Sequence, residues 1–138
     1  MKLHKYLLIL IFVIPVANAD SLESEKLHTA LITTAIEFDV FNQRCRGVSM
    51  AKKVSKVNRL YLRKYDITVN NYIKVYLSQD PRDARKNLKN EMIRNISKQG
   101  GCLALKKKGM RKQFKQRYQQ LFKKVELSAW IPEQTRKR

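Results

Sequence analysis

The stretch LHTALITTAIEFDVFNQRCRG, residues 27–47, decides the fold of this chain. Its apolar residues recur every three or four positions, which is the spacing of one buried face of an α-helix. Gly47 then predicts the end of that helix, since glycine tolerates the left-handed conformation that stops a helix. Ser21 is the expected cap at its start. The residues expected on the buried face are Leu27, Leu31, Ala35, Phe38, Phe41 or Asn42, and Cys45.

The same spacing predicts helices along the rest of the chain. A second helix is expected from a cap at Ser49 to about Lys64, with Val54, Val57, Tyr61 and Tyr65 buried. Thr68 is the expected cap of a short third helix, whose apolar face holds Val69, Tyr72, Ile73 and Tyr76. The β-branched and aromatic content of residues 67–77 leaves a strand as the alternative there.

Capping residues mark the fourth and last helices more clearly. Asp80 followed by Pro81 is typical of a helix start, and Gly100-Gly101 is typical of a helix stop. The fourth helix is expected to bury Leu88, Met92, Ile93 and Ile96. Cys102 then opens a last long helix, in which Gly109 predicts a kink or a close helix crossing. Its apolar arc consists of Leu103, Met110, Phe114, Tyr118, Leu121, Phe122 and Val125.

These patterns together predict an all-α fold, a small bundle of four or five helices with one disulfide. The helical domain is expected over residues 20–131, with a disordered tail over 132–138. We find no repeat, no low-complexity segment and no second domain.

The first nineteen residues read as a secretory signal peptide. Lys2 and Lys5 precede an eleven-residue apolar run, and Ala17-Asn18-Ala19 supplies the small-residue cleavage pattern before Asp20. The alternative is an uncleaved anchor, but the run is about half of the roughly 20 residues that a spanning helix needs. Because Asp rather than Cys stands at position 20, no lipid attachment is expected. We predict a periplasmic, soluble mature protein without a transmembrane helix.

Export gives the two cysteines an oxidising environment. Cys45 and Cys102 have one internal pairing, and it closes a loop of 58 residues. The chain-entropy model assigns such a bridge roughly 4 kcal/mol of stabilisation. A metal or redox pair is the alternative reading, but the chain has no Cys-x-x-Cys and its mature part has one histidine, His28.

The charge is extreme for so small a domain. Thirty Lys and Arg against eleven Asp and Glu give +19, and +17 remains after the leader is removed. No acidic residue occurs between Met92 and Val125. Two basic faces are expected to bind an anion or a partner, and the alternative is a well-solvated helical surface. They comprise Lys52, Lys53, Lys56, Arg59 and Arg63 on the second helix and Lys106, Lys107, Lys108, Arg111, Lys112 and Lys115 on the last.

The sequence gives little support for a catalytic function. No catalytic or phosphate-binding motif is present. His28 is expected to be a surface or packed residue, and Glu37 and Asp39 to be surface groups. The spacing of Phe114, Tyr118 and Phe122 favours core packing over a platform for stacking bases. We therefore expect no enzyme, no cofactor, no metal and no small-molecule substrate.

The layout resembles the PulS/OutS-type pilotins of type II secretion. An exported helical domain of this size with one cysteine ending the first helix (residues 27–45) and another opening the last (Gly101-Cys102-Leu103) carries the resemblance. It implies binding of a partner helix in an apolar groove. Two departures are the missing lipidation cysteine and the much stronger positive charge. Small two-cysteine acid-stress chaperones of the periplasm share the layout, although they are shorter and less basic.

Three functions remain open at this point. The first is a pilotin- or chaperone-like adaptor that binds an acidic or amphipathic envelope protein. The second is a binder of polyanions or of an anionic membrane surface, with lipopolysaccharide, anionic lipid or DNA as partner. The third is an immunity or inhibitor protein.

Overall fold

The computed structural model describes residues 17–133, with the side chains of residues 20–133. The chain is all-α, as predicted, and no described helix is long and apolar enough to cross a membrane. Residues 1–16 of the predicted leader and residues 134–138 of the predicted tail lie outside the described range. The helices are α1 (Ala17–Arg46), α2 (Lys52–Tyr65), α3 (Val69–Tyr76), α4 (Pro81–Lys98), α5 (Gly101–Lys107) and α6 (Met110–Leu127).

Helix α1 is the central element of the bundle and packs against α2, α3, α4 and α6. Its expected face is buried between Leu31 and Asn42 and partly buried at Leu27 and Cys45, and Ile32, Ile36 and Val40 on other sides are buried as well. A helix that is apolar around most of its circumference belongs in the middle of a fold, with neighbours on several sides. The predicted cap at Ser21 is wrong: α1 begins at Ala17, so Ser21 lies inside the helix.

Most of the predicted helix boundaries are confirmed. Gly47 follows α1 with φ +66°, and Gly100 between α4 and α5 has φ +95°. The hydroxyl of Thr68 accepts from the backbone N–H of Asn71 at 3.0 Å. The carboxylate of Asp80 accepts from the N–H of Arg82 at 2.8 Å. Residues 69–76 are helical, so the strand alternative is excluded.

The start of α2 differs from the prediction in two respects, the identity of its cap and the position of Asp39. Ser49 does not cap the helix; the carboxylate of Asp39 does so from the neighbouring helix α1. Asp39 accepts from the N–H of Lys53 at 3.0 Å and from the N–H of Val54 at 2.9 Å. The Asp39 side chain is only 4% exposed, so it is not a surface group. Burial raises the pKa of this carboxyl, and the two amide hydrogen bonds act in the opposite direction.

Gly109 divides the expected last helix in two, so six helices are described rather than the four or five expected. Its φ of +69° ends α5, and α6 begins at the next residue. The break interrupts the angular register of 100° per residue, so the expected arc does not continue from one helix to the other. Leu103 is consequently 77% exposed instead of packed in the core, and Leu105 is the buried residue of α5.

The disulfide is present between the two predicted cysteines. The Cys45 and Cys102 sulfurs are 2.02 Å apart, and their Cα atoms are separated by 5.3 Å. The bond joins the last turn of α1 to the first turn of α5. It therefore connects helices that are distant in sequence, as predicted.

The first half of α1, far from Cys45 in the sequence, contains His28, which lies in an aromatic cluster. This side chain is fully buried, and its Nε2 atom lies 3.0 Å from the Tyr65 hydroxyl. Its Nδ1–H donates to the carbonyl of Ser24 at 2.8 Å. The Trp130 ring packs against the imidazole with a centroid distance of 4.6 Å. Burial lowers the pKa of His28 from its usual value of 6.5 to about 4, so the imidazole is neutral at pH 7.

Candidate functional site

Helices α2 and α6 both pack against α1 and run in the same direction. The Tyr118 hydroxyl donates to the carbonyl of Lys53 at 3.4 Å, near the start of α2. At the other end the Lys64 ammonium donates to the carbonyls of Val125 at 2.7 Å and Ser128 at 2.6 Å. Lys64 thus binds carbonyls at the C-terminus of α6, where a cation is favourable. The start of α2 thus contacts the middle of α6, and the end of α2 contacts the end of α6, so the two helices are parallel.

A groove of about 520 Å³ lies between these helices, and we call it the α2–α6 groove. Its floor is apolar, since Leu60 is 2% exposed and Phe122 is half-buried. Lys56 places its ammonium 4.9 Å from the centre of the Phe122 ring, a cation–π distance. The groove is lined by Lys56, Arg59, Leu60, Arg63, Phe122 and Glu126.

The positive charge along the groove is barely neutralised. Within residues 20–133 the one ion pair joins Arg63 to Glu126 at 3.4 Å, and its side chains are 70% and 47% exposed. Such an exposed pair contributes at most about 1 kcal/mol. Two other carboxylates, Asp39 and Asp80, are used to cap helices. Lys56 and Arg59 therefore have no described carboxylate within 4 Å.

Lys53 differs from the other predicted residues of the α2 face. Its ammonium lies 5.1 Å from the centre of the Phe38 ring and 5.3 Å from that of Tyr118, and its side chain is half-buried. These contacts hold Lys53 over the core between α1 and α6. The structure thus directs Lys56, Arg59 and Arg63 to the groove, while Lys53 covers aromatic rings.

A second cavity, of about 780 Å³, lies on the other side of α2, and we call it the α2–α3–α4 cavity. Lys52 and Arg59 contribute to it from α2, so Arg59 lines both openings. The third cation is Arg85 from α4, which the sequence did not single out. Arg85 reaches this place through the packing of α4 against α3, a tertiary arrangement that leaves no local sequence signal.

The second predicted basic set surrounds Gly109. Lys106 and Arg111 line a cavity of about 410 Å³ beside the disulfide, together with the exposed Leu103. The remaining members line none of the three cavities described above. All six side chains of the set are exposed: Lys106, Lys107, Lys108, Arg111, Lys112 and Lys115.

The aromatic residues of α6 belong mainly to the core, as predicted. Phe114 and Tyr118 are buried. The rings of Phe114 and Phe38 stack with centroids 5.5 Å apart and planes at 9°. Phe122 is the exception, because it is half-buried and faces the groove.

Neither a metal-binding cluster nor a known relative indicates what the site binds. Among residues 17–133 no group of three or more His, Cys, Asp or Glu side chains is placed to hold a metal ion. No protein family, curated protein or solved structure matches this chain.

Proposed function

We propose that this protein is a non-enzymatic adaptor that holds an acidic, amphipathic segment of a partner protein in the α2–α6 groove. The observation that carries the proposal is the combination of an apolar floor with a cationic rim. The partly exposed Phe122 ring offers apolar contact above the buried Leu60, and Lys56, Arg59 and Arg63 surround it. A partner helix with one apolar and one acidic face matches both properties.

The dimensions support a short helical segment as the ligand. Residues 56–63 span about 10 Å of α2 at a rise of about 1.5 Å per residue, which is close to two helical turns. A carboxylate of the partner would compete with Glu126 for the Arg63 guanidinium. The uncompensated cations of the surface would also accelerate encounter with an acidic partner, most strongly at low ionic strength.

The cellular setting that we propose is the periplasm. The Cys45–Cys102 bond supports an oxidising compartment, since structural disulfides are rare in reducing ones. The leader predicted from residues 1–19 supports the same location. An adaptor of this kind corresponds to the pilotin-like or chaperone-like role that the helix layout suggests.

Photocrosslinking in intact cells tests the adaptor role directly. A photoreactive residue replaces Arg63 in one variant and Lys107 in a matched control, because both positions are exposed and cationic. We expect a discrete protein adduct from position 63 and none from position 107. Equal adducts from both positions, or none from position 63, would contradict a partner in the groove.

Variants with reversed charges test the groove quantitatively, through the affinity for the partner. Lys56→Glu with Arg63→Glu should weaken binding of the crosslinked partner, or of an acidic amphipathic peptide derived from it, by about tenfold or more. Lys107→Glu with Lys112→Glu changes the net charge equally and should have a much smaller effect. Similar losses in both variants would mean that net charge, and not the groove, controls binding.

A second candidate function is binding of polyanions or an anionic membrane surface. The six cations around Gly109 favour it, since all are exposed and none lies within 4 Å of a described carboxylate. Binding to DNA or lipopolysaccharide should fall steeply as salt rises, because bound counterions are released. It should also fall in the Lys107→Glu and Lys112→Glu variant. Negligible binding at low salt would exclude this candidate.

A further inference from the structure

The α2–α3–α4 cavity collects three cations from two helices. Lys52 and Arg59 come from α2, and Arg85 comes from α4 on the opposite side. No carboxylate lines the cavity, and none of the three cations lies within 4 Å of a carboxylate among residues 20–133. The cavity is therefore a concave site of positive charge.

The polar side chains of the cavity add hydrogen-bond donors. The Asn58 Oδ1 atom accepts from the N–H of Val69 at 2.9 Å, so its amide nitrogen retains two hydrogens. The Asn70 Oδ1 atom accepts from the Arg85 guanidinium at 2.8 Å, with the same consequence. Thr68 Oγ1 accepts from the N–H of Asn71, and its hydrogen has no described partner. The oxygens of Asn58 and Asn70 are already used as acceptors, whereas the N–H and O–H donors of these three side chains have no described partner.

Arg85 adds a second indication of an anionic ligand. Its side chain is half-buried, and burial lowers the pKa of the guanidinium, although arginine stays protonated. Its described partner is the neutral Asn70 amide. A partly buried charge is stabilised by an opposite charge, and no carboxylate among residues 20–133 supplies one to Arg85, which favours an anionic ligand.

We propose that the α2–α3–α4 cavity binds a phosphoryl group, held by Arg85, Lys52 and Arg59 and by the free donors of Asn58, Thr68 and Asn70. A phosphoryl group offers several acceptor oxygens, which suits a guanidinium fork and several separate donors. The volume of about 780 Å³ leaves room for the rest of a phosphorylated molecule. The site is separate from the α2–α6 groove except for Arg59, which lines both.

Calorimetric titration with inorganic pyrophosphate at low salt tests this site. We expect one ion per chain, and about tenfold or more weaker binding in both Asn58→Asp and Arg85→Gln. Asn58→Asp is the sharper variant, because its carboxylate still accepts from the N–H of Val69 while it repels the ligand. Lys107→Gln with Lys112→Gln is the control for general charge and should change affinity by less than about threefold.

Vesicles distinguish the two sources of such a phosphoryl group. Phosphatidylcholine vesicles containing phosphatidic acid should compete with pyrophosphate, and lose binding in Asn58→Asp, if the group belongs to a lipid headgroup. Pyrophosphate binding without competition indicates a soluble phosphorylated ligand instead. The proposal is overturned if pyrophosphate does not bind, or if Asn58→Asp and Arg85→Gln bind it as the unmodified protein does.

Discussion

The two parts of α1 are attached to the bundle by different means. Toward its beginning, His28 is enclosed by rings from α2, α3 and the segment after α6, and is hydrogen-bonded on both nitrogens. At its end, Cys45 is held by a covalent bond to α5, next to an exposed Leu103 and exposed cations. We call these the histidine end and the cysteine end.

The difference reflects how many side chains the short helix at each end buries in the core. Helix α5 has seven residues and one buried side chain, Leu105, so its apolar contacts supply little stabilisation. A short helix with two lysines in its last turn needs another connection, and the disulfide provides it. Helix α3 is almost as short but buries Val69, Tyr72 and Ile73, and it is held without a covalent bond, by packing and hydrogen bonds.

Removal of the disulfide should have the largest effect. Cys45→Ser with Cys102→Ser is expected to lower the free energy of unfolding by roughly 4 kcal/mol, because the 58-residue loop is no longer closed in the unfolded chain. Denaturant unfolding measures the loss. Hydrogen exchange should locate the first loss of protection in α5 rather than in α3. An unchanged unfolding midpoint would show that packing also holds the cysteine end.

Acid should weaken the histidine end. His28 has a pKa of about 4 in the folded protein and about 6.5 when unfolded, so the unfolded chain binds the proton first. The stabilisation is complete above pH 6.5 and is lost as the pH falls toward 4, by roughly 3 kcal/mol. Unfolding measured across this range should show the loss, and His28→Gln should flatten the profile. A profile unaffected by His28→Gln would contradict the assignment.

Loss of the Asp39 carboxylate, which caps the start of α2 from α1, should have an intermediate effect on the free energy of unfolding. Asp39→Ala leaves the N–H groups of Lys53 and Val54 without their acceptor and should cost about 1–2 kcal/mol. Ser49→Ala is the matched control and should stay within about 0.5 kcal/mol of the unmodified protein. Thermal unfolding of both variants makes the comparison, and a larger loss from Ser49→Ala would restore Ser49 as the cap.

The smallest effect is expected at Gly109 of the cysteine end. No atom lies within 4 Å of a Cβ added there, so the cost of Gly109→Ala comes from the backbone φ of +69° alone. That strain is about 1 kcal/mol. Gly109→Asn should cost less, because asparagine tolerates this conformation better. Equal melting temperatures for the alanine variant and the unmodified protein would mean that α5 and α6 can join without loss.

Local features of the sequence predicted the helices well. Thr68, Asp80 and Gly100 act through their own backbone neighbours, and each is found where its chemistry requires. The disulfide could also be predicted, since two cysteines allow a single pairing. The break at Gly109 was visible as a weak point, but its conversion into a full helix end depended on the left-handed conformation that the glycine adopts.

Features that depend on packing between helices could not be predicted in this way. Asp39 looked like a surface residue because nothing nearby in sequence indicates that α1 passes the start of α2. The same holds for Arg85 in the α2–α3–α4 cavity and for Phe122 in the groove. Composition indicated the positive charge, whereas the division into groove, cavity and open surface required the arrangement of the helices.

Trp130 gives this protein a built-in optical reporter. It is the single tryptophan of the chain, and its ring contacts the imidazole of His28 across 102 positions of sequence. Its emission should therefore respond when the segment after α6 detaches from the bundle. Because a charged imidazolium quenches a neighbouring indole, the same signal should follow protonation of His28 without any added label.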